Sequence, residues 1–91
     1  MKINAHVIIS GKVQGVFFRA NTKKKAIEYG LTGWVKNTSD GCVEAVFEGE
    51  EDKLKDMIKW CKIGPKLSKV TSVKIKYNNF LKEYKDFKII Y

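Results

Sequence analysis

The chain has 91 residues, 44% of them hydrophobic and 31% charged, with a single proline; that length and balance suit one domain, residues 1–91, with one modest core. Its formal net charge of +8 favours anionic partners such as nucleic acid, a membrane surface or a phosphorylated metabolite. No segment approaches the roughly 20 apolar residues of a membrane span, no secretory apolar region follows Met1-Lys2, and Cys42 and Cys61 fit neither a C-x-x-C pattern nor a disulfide framework, so a reduced, cytoplasmic protein free of membrane is expected.

Ile3, Ala5, Val7 and Ile9 alternate with Asn4, His6, Ile8 and Ser10, which predicts a strand over residues 3–10 with one face in the core. The lone His6 falls on the other face and reads as a sheet histidine. Next comes Gly11-Lys12-Val13-Gln14-Gly15-Val16-Phe17-Phe18-Arg19, a strand-to-helix connection with two glycines. Such a stretch is either a plain turn or a cradle for a small dianion, because the amides at the start of the next helix point back into it. Arg19 is the only arginine beside seventeen lysines. A planar guanidinium can grip two phosphate oxygens at once, which favours the cradle.

Phe18, Thr22, Ala26 and Tyr29 recur at helical spacing and predict a helix over about 19–29 that stops at Gly30. Lys23, Lys24 and Lys25 lie off that stripe as a solvated face. A second strand is expected over residues 31–38, interrupted by Gly33, with Trp34 and Phe18 both assigned to the core. Thr38-Ser39-Asp40-Gly41 is a tight hairpin signal, and residues 42–49 alternate as a third strand. Glu50-Glu51-Asp52 gives a second helix an acidic first turn, and Leu54, Met57, Ile58 and Cys61 form its apolar stripe before Gly64-Pro65. After a basic loop at 66–69, residues 70–77 alternate as a fourth strand. Residues 78–85 are turn-rich, and Phe87, Ile89 and Tyr91 suggest a short fifth strand.

Strand, helix, strand, strand, helix, strand, plus a short fifth strand, is the order of an α+β ferredoxin-like sandwich, βαββαβ, with two helices on one face of an antiparallel sheet. That fold hosts many functions, so the site must decide. An RNA-recognition module would carry several aromatics on the third strand; here that strand has one aromatic and the glutamates Glu44 and Glu48, which repel phosphate. No metal-ligand spacing occurs, and one histidine offers no obvious partner for a nucleophilic serine or cysteine.

Gly11-x-Val13-Gln14-Gly15-Val16-x-Phe18-Arg19, followed by Gly33-Trp34-Val35-x-Asn37 and Asp40-Gly41-x-Val43-Glu44, resembles the two signatures of the acylphosphatase family. Length, element order and the closing Phe87-Lys88-Ile89-Ile90-Tyr91 fit as well, with no departure at a functional position. The resemblance implies hydrolysis of the carboxyl–phosphate bond of a small acyl phosphate to a carboxylate and inorganic phosphate without a metal; no cofactor is expected, and nothing in the sequence demands more than a monomer. It also implies that Arg19 binds the phosphoryl group and that Asn37 positions the attacking water. Backbone amides of Lys12, Val13, Gln14, Gly15, Val16, Phe17 and Phe18 would line the phosphate loop, with Gly11 and Thr38 supporting it. A non-catalytic module that binds a phosphorylated group for a partner, or a basic nucleic-acid-binding domain, is the competing expectation; metal-free hydrolysis separates the first and salt-sensitive oligonucleotide binding the second.

Overall fold

Alternation along the first strand positions everything else. In a computed structural model describing residues 1–91, β1 (Lys2–Lys12) is followed by α1 (Phe18–Glu28), β2 (Thr32–Asn37), β3 (Val43–Glu50), α2 (Glu51–Ile63), β4 (Lys69–Asn78) and β5 (Phe87–Ile90). Ala5, Val7 and Ile9 of β1 point to one face and are fully buried; their neighbours His6 and Ile8 lie on the other. Val43, Ala45 and Phe47 of β3 continue the same buried face, in register with Ile9, Val7 and Ala5.

The two helices cover that face. Phe18, Thr22 and Ala26 form the buried stripe of α1, and Leu54, Met57, Ile58 and Cys61 that of α2, both as their spacings predict. Seventeen buried apolar residues make one core. Helix α1 lies over β2 and β5, whereas α2 lies over β4, β1 and β3. The connection from β1 into α1 therefore sits between the two halves of the helical layer.

The sheet runs in the order β4-β1-β3-β2-β5. The four longer strands pair with one another antiparallel; β5 pairs with β2 in parallel, Val35 opposite Ile89, so the sheet is mixed. Parallel pairing requires a crossover, which residues 79–86 supply from one edge of the sheet to the other. Phe87 then stacks on Phe47 at 5.6 Å, with the rings 13° apart, and ties β5 to the core.

The crossover is held by Glu48, a buried carboxylate on the helix-free face of β3. It accepts hydrogen bonds from the backbone amides of Lys82, Glu83 and Tyr84 and from Asn4 Nδ2, while Asn4 Oδ1 accepts one from Asn78. Burial alone would raise the pKa of Glu48; the Asn4 amide and the three backbone amides outweigh it and hold the carboxyl below its usual range. Trp34 is on this face too. Gly33 and Val35 take the core-facing positions of β2, so the indole between them is excluded from the core and donates instead to the Tyr84 hydroxyl at 3.3 Å. The core assignment of Trp34 is therefore corrected, while that of Phe18 stands, 2% exposed. His6 is a sheet residue as expected, with Nε2 2.6 Å from Glu44.

Candidate active site

Strand β1 runs two residues further than its alternation predicts. A register shift between Ser10 and Gly11 lets Gly11 and Lys12 keep pairing with Val70 and Lys69. Gly11 has φ +124°, and a Cβ there would lie 2.1 Å from the Lys69 carbonyl oxygen, so only glycine permits this close approach. Lys12 is accordingly the last residue of the strand, and the loop proper spans residues 13–17.

Val13 and Val16 anchor the loop to the core, 1% and 6% exposed. Between them Gly15 has φ +73°, and no atom lies within 4 Å of where its Cβ would stand. The left-handed backbone favours glycine, and the space over it is open. None of the backbone amides of residues 13–17 donates to an acceptor within the chain. Phe17, itself left-handed at φ +62°, caps α1, whose first bond beyond the cap is from Asn21 N–H to the Phe17 carbonyl. The amides ahead of Asn21 have no intrahelical partner, so they add to the same concentration of positive charge.

Gln14 joins this loop to the β2–β3 hairpin. Its Nε2 donates to the carbonyl oxygens of Thr38 and Cys42, both at 2.8 Å. Thr38 organises the hairpin in turn: its hydroxyl accepts from the Cys42 amide at 3.0 Å and donates to the Asp40 carboxylate, which holds that carboxyl below its usual range. The connection is five residues, 38–42, rather than the tighter turn expected from Asp40-Gly41, because the Thr38 side chain closes it.

The loop, the first turn of α1, and the ends of β2 and β5 enclose a cavity of about 290 Å³. Val13, Gly15, Phe17 and Phe18 form one side and Arg19 and Ala20 the helical wall; Asn37, Ile89 and Tyr91 close it. Of the other residues expected at the site, Gly11, Lys12, Gln14, Val16 and Thr38 do not line it. The Arg19 guanidinium stands 4.9 Å from the centroid of the Tyr91 ring and takes part in no ion pair. Asn37 Oδ1 is buried without a hydrogen-bond partner, the only such side-chain atom in the molecule. An unpaired buried carbonyl costs about 1–3 kcal/mol, so its retention beside an unpaired cation points to a polar ligand. Ile89 and Tyr91 were invisible as site residues in the sequence. They arrive through β5, whose partner strand no local pattern specifies. The side chains of the molecule form no group of three or more potential metal ligands among His, Cys, Asp and Glu.

The family model for acylphosphatases matches residues 5–89. The chain belongs to the acylphosphatase family. It is 41% identical to the acylphosphatase of Pelotomaculum thermopropionicum over 99% of this chain and 98% of that protein. Identity to the acylphosphatase of Syntrophobacter fumaroxidans is 48%, over 99% and 93% of the two chains. The crystal structure of acylphosphatase from Bacillus subtilis superposes with a TM-score of 0.96 at 37% identity, covering 98% of this chain and 99% of that one. Sequence, topology and chain length thus agree with those of whole acylphosphatases, and the cavity at the β1–α1 loop sits on the scaffold they share.

Proposed function

We propose that this acylphosphatase-family chain hydrolyses the carboxyl–phosphate bond of small acyl phosphates, with Arg19 and the loop amides binding the phosphoryl group and Asn37 orienting the attacking water. The observation that carries this reading is the buried, unpartnered Oδ1 of Asn37, a residue that lines the same cavity as the unpaired Arg19. The free amides of residues 13–17 and the N-terminus of α1 offer donors to phosphoryl oxygens, and the guanidinium adds a bidentate grip. An acyl phosphate already carries a good leaving group, so the barrier falls mainly through positioning and charge stabilisation.

Asn37 does not titrate, so it acts by orienting: Oδ1 accepts a hydrogen bond from the water, while Nδ2 can donate. The water oxygen forms the new bond to phosphorus as the bond from phosphorus to the acyl oxygen breaks. The carboxylate departs with that electron pair. One water proton stays on the new hydroxyl and the other passes to a phosphoryl oxygen of the substrate, so a dianionic acyl phosphate and water become a carboxylate and dihydrogen phosphate. The free thiols Cys42 and Cys61 suit a reducing, cytoplasmic setting. No helix is long and apolar enough to cross a membrane, and β3, whose one aromatic Phe47 is buried in the core, offers no base-stacking residue to nucleic acid.

The test is hydrolysis of acetyl phosphate with chelator present, in the unaltered chain and in Asn37→Ala. Turnover is expected to fall by about 10²–10³ in the variant, while competitive inhibition by inorganic phosphate stays within a few-fold. Equal loss of turnover and of phosphate affinity would make Asn37 structural, and no hydrolysis by the unaltered chain would end the reading.

A further inference from the structure

A second cleft, of about 460 Å³, also borders the phosphate loop. It is walled by Val16 and Phe17 of the loop, Trp60 near the end of α2, and Pro65, Lys66 and Leu67 of the α2–β4 connection. Phe17 belongs to both clefts. Its ring is 72% exposed, and Leu67 across the cleft is 62% exposed. Neither exposure serves the core. The backbone of Phe17 is left-handed, unusual for an aromatic residue, and is held so because its carbonyl accepts from both the amide and the side chain of Asn21. A large apolar ring is thus fixed outward at the rim of the phosphate loop.

We infer that this second cleft takes the acyl substituent of the substrate and favours apolar, aromatic or branched acyl groups over small ones. The inference rests on the proposed function. In-line displacement requires the acyl oxygen to leave opposite the attacking water. Asn37 approaches from β2, beneath α1, whereas Trp60 and residues 65–67 belong to the half of the molecule covered by α2. Phe17 borders both clefts and Asn37 only the first, so an acyl group departing away from Asn37 can pass the Phe17 ring into the cleft between Phe17 and Leu67. Val16, Phe17, Trp60 and Leu67 give the cleft an apolar majority beside Asn21 and Lys66, which suits a ligand held mainly by burial.

Leu67 is exposed on a loop and outside the phosphate machinery, so replacing it leaves the fold and the phosphoryl site in place. The experiment compares kcat/KM for benzoyl phosphate and for acetyl phosphate in the unaltered chain, Leu67→Ala and Leu67→Asp. Expected is a preference for benzoyl phosphate in the unaltered chain that shrinks about tenfold in Leu67→Ala and further in Leu67→Asp, with acetyl phosphate hydrolysis within twofold of the unaltered chain for Leu67→Ala. A benzoyl-to-acetyl ratio unmoved by both substitutions, with acetyl phosphate still hydrolysed, overturns the acyl subsite and leaves the proposed function standing. Failure of the unaltered chain to hydrolyse either substrate overturns both.

Discussion

Arg19 differs from the seventeen lysines of the chain in what its side chain can hold. A lysine offers a flexible point charge, whereas the guanidinium presents a rigid fork matched to two phosphate oxygens. Its position reinforces this: it sits in the first turn of α1, lines the cavity, and is engaged by no carboxylate, only by the face of Tyr91. Arg19→Lys is therefore expected to fold normally, because Arg19 makes no ion pair on which the fold depends, yet to lose about 10²–10³ in turnover of acetyl phosphate. Unchanged far-ultraviolet circular dichroism with near-normal hydrolysis would remove Arg19 from the site. The two cysteines contrast with it. Burial pushes the Cys61 thiol up to about 12, in keeping with a core residue that takes no part in chemistry.

At the scale of elements, the site depends on two connections meeting. The β1–α1 loop carries the amides and Arg19, the β2–β3 hairpin follows Asn37, and Gln14 links them through two 2.8 Å hydrogen bonds to the hairpin carbonyls. Gln14→Ala removes both donors without touching the cavity surface. It is expected to cost about 1–3 kcal/mol in urea unfolding and to lower kcat/KM by about 10–100-fold, with weaker inhibition by phosphate as the loop loses its fixed distance from Asn37. A variant that loses stability but keeps its kinetics would show that Gln14 serves only the fold. The motif placed Gln14, Thr38 and Asn37 close in sequence to the right elements. It marks Gln14 and Thr38 as supports of the loop and hairpin geometry, whereas the carbonyls that Gln14 reaches, 24 and 28 residues away, are set by the packing of β1 beside β3.

For the whole molecule, the deciding arrangement is the crossover from β4 to β5. Glu48 gathers three consecutive backbone amides and Asn4 beneath it, and β5 then brings Ile89 and Tyr91 to the cavity. Because its carboxyl titrates below the usual range when folded, the unfolded chain binds its proton more readily. Its stabilisation is present above the ordinary glutamate value of about 4.3 and is lost as pH falls through the lower folded value. Glu48→Gln is expected to cost about 2 kcal/mol in urea unfolding at pH 7. The gap between variant and unaltered chain should narrow markedly at pH 3. A gap of the same size at both pH values would mean that the carboxylate charge contributes nothing there.

The sequence by itself determined the elements and their core stripes, because alternation and helical spacing are local consequences of which face must leave water. It also singled out Arg19 and Asn37 as candidates, since both lie in short motifs whose residue types match one chemistry. Only the tertiary structure decided the rest. Trp34 reads as core by its apolarity, yet it lies on the helix-free face because Gly33 and Val35 occupy the inward positions of β2. The direction of β5, the closure of the cavity by Ile89 and Tyr91, and the sharing of Phe17 between two clefts follow from contacts between residues far apart in the chain. Such contacts leave no periodicity behind, so no local pattern carries them.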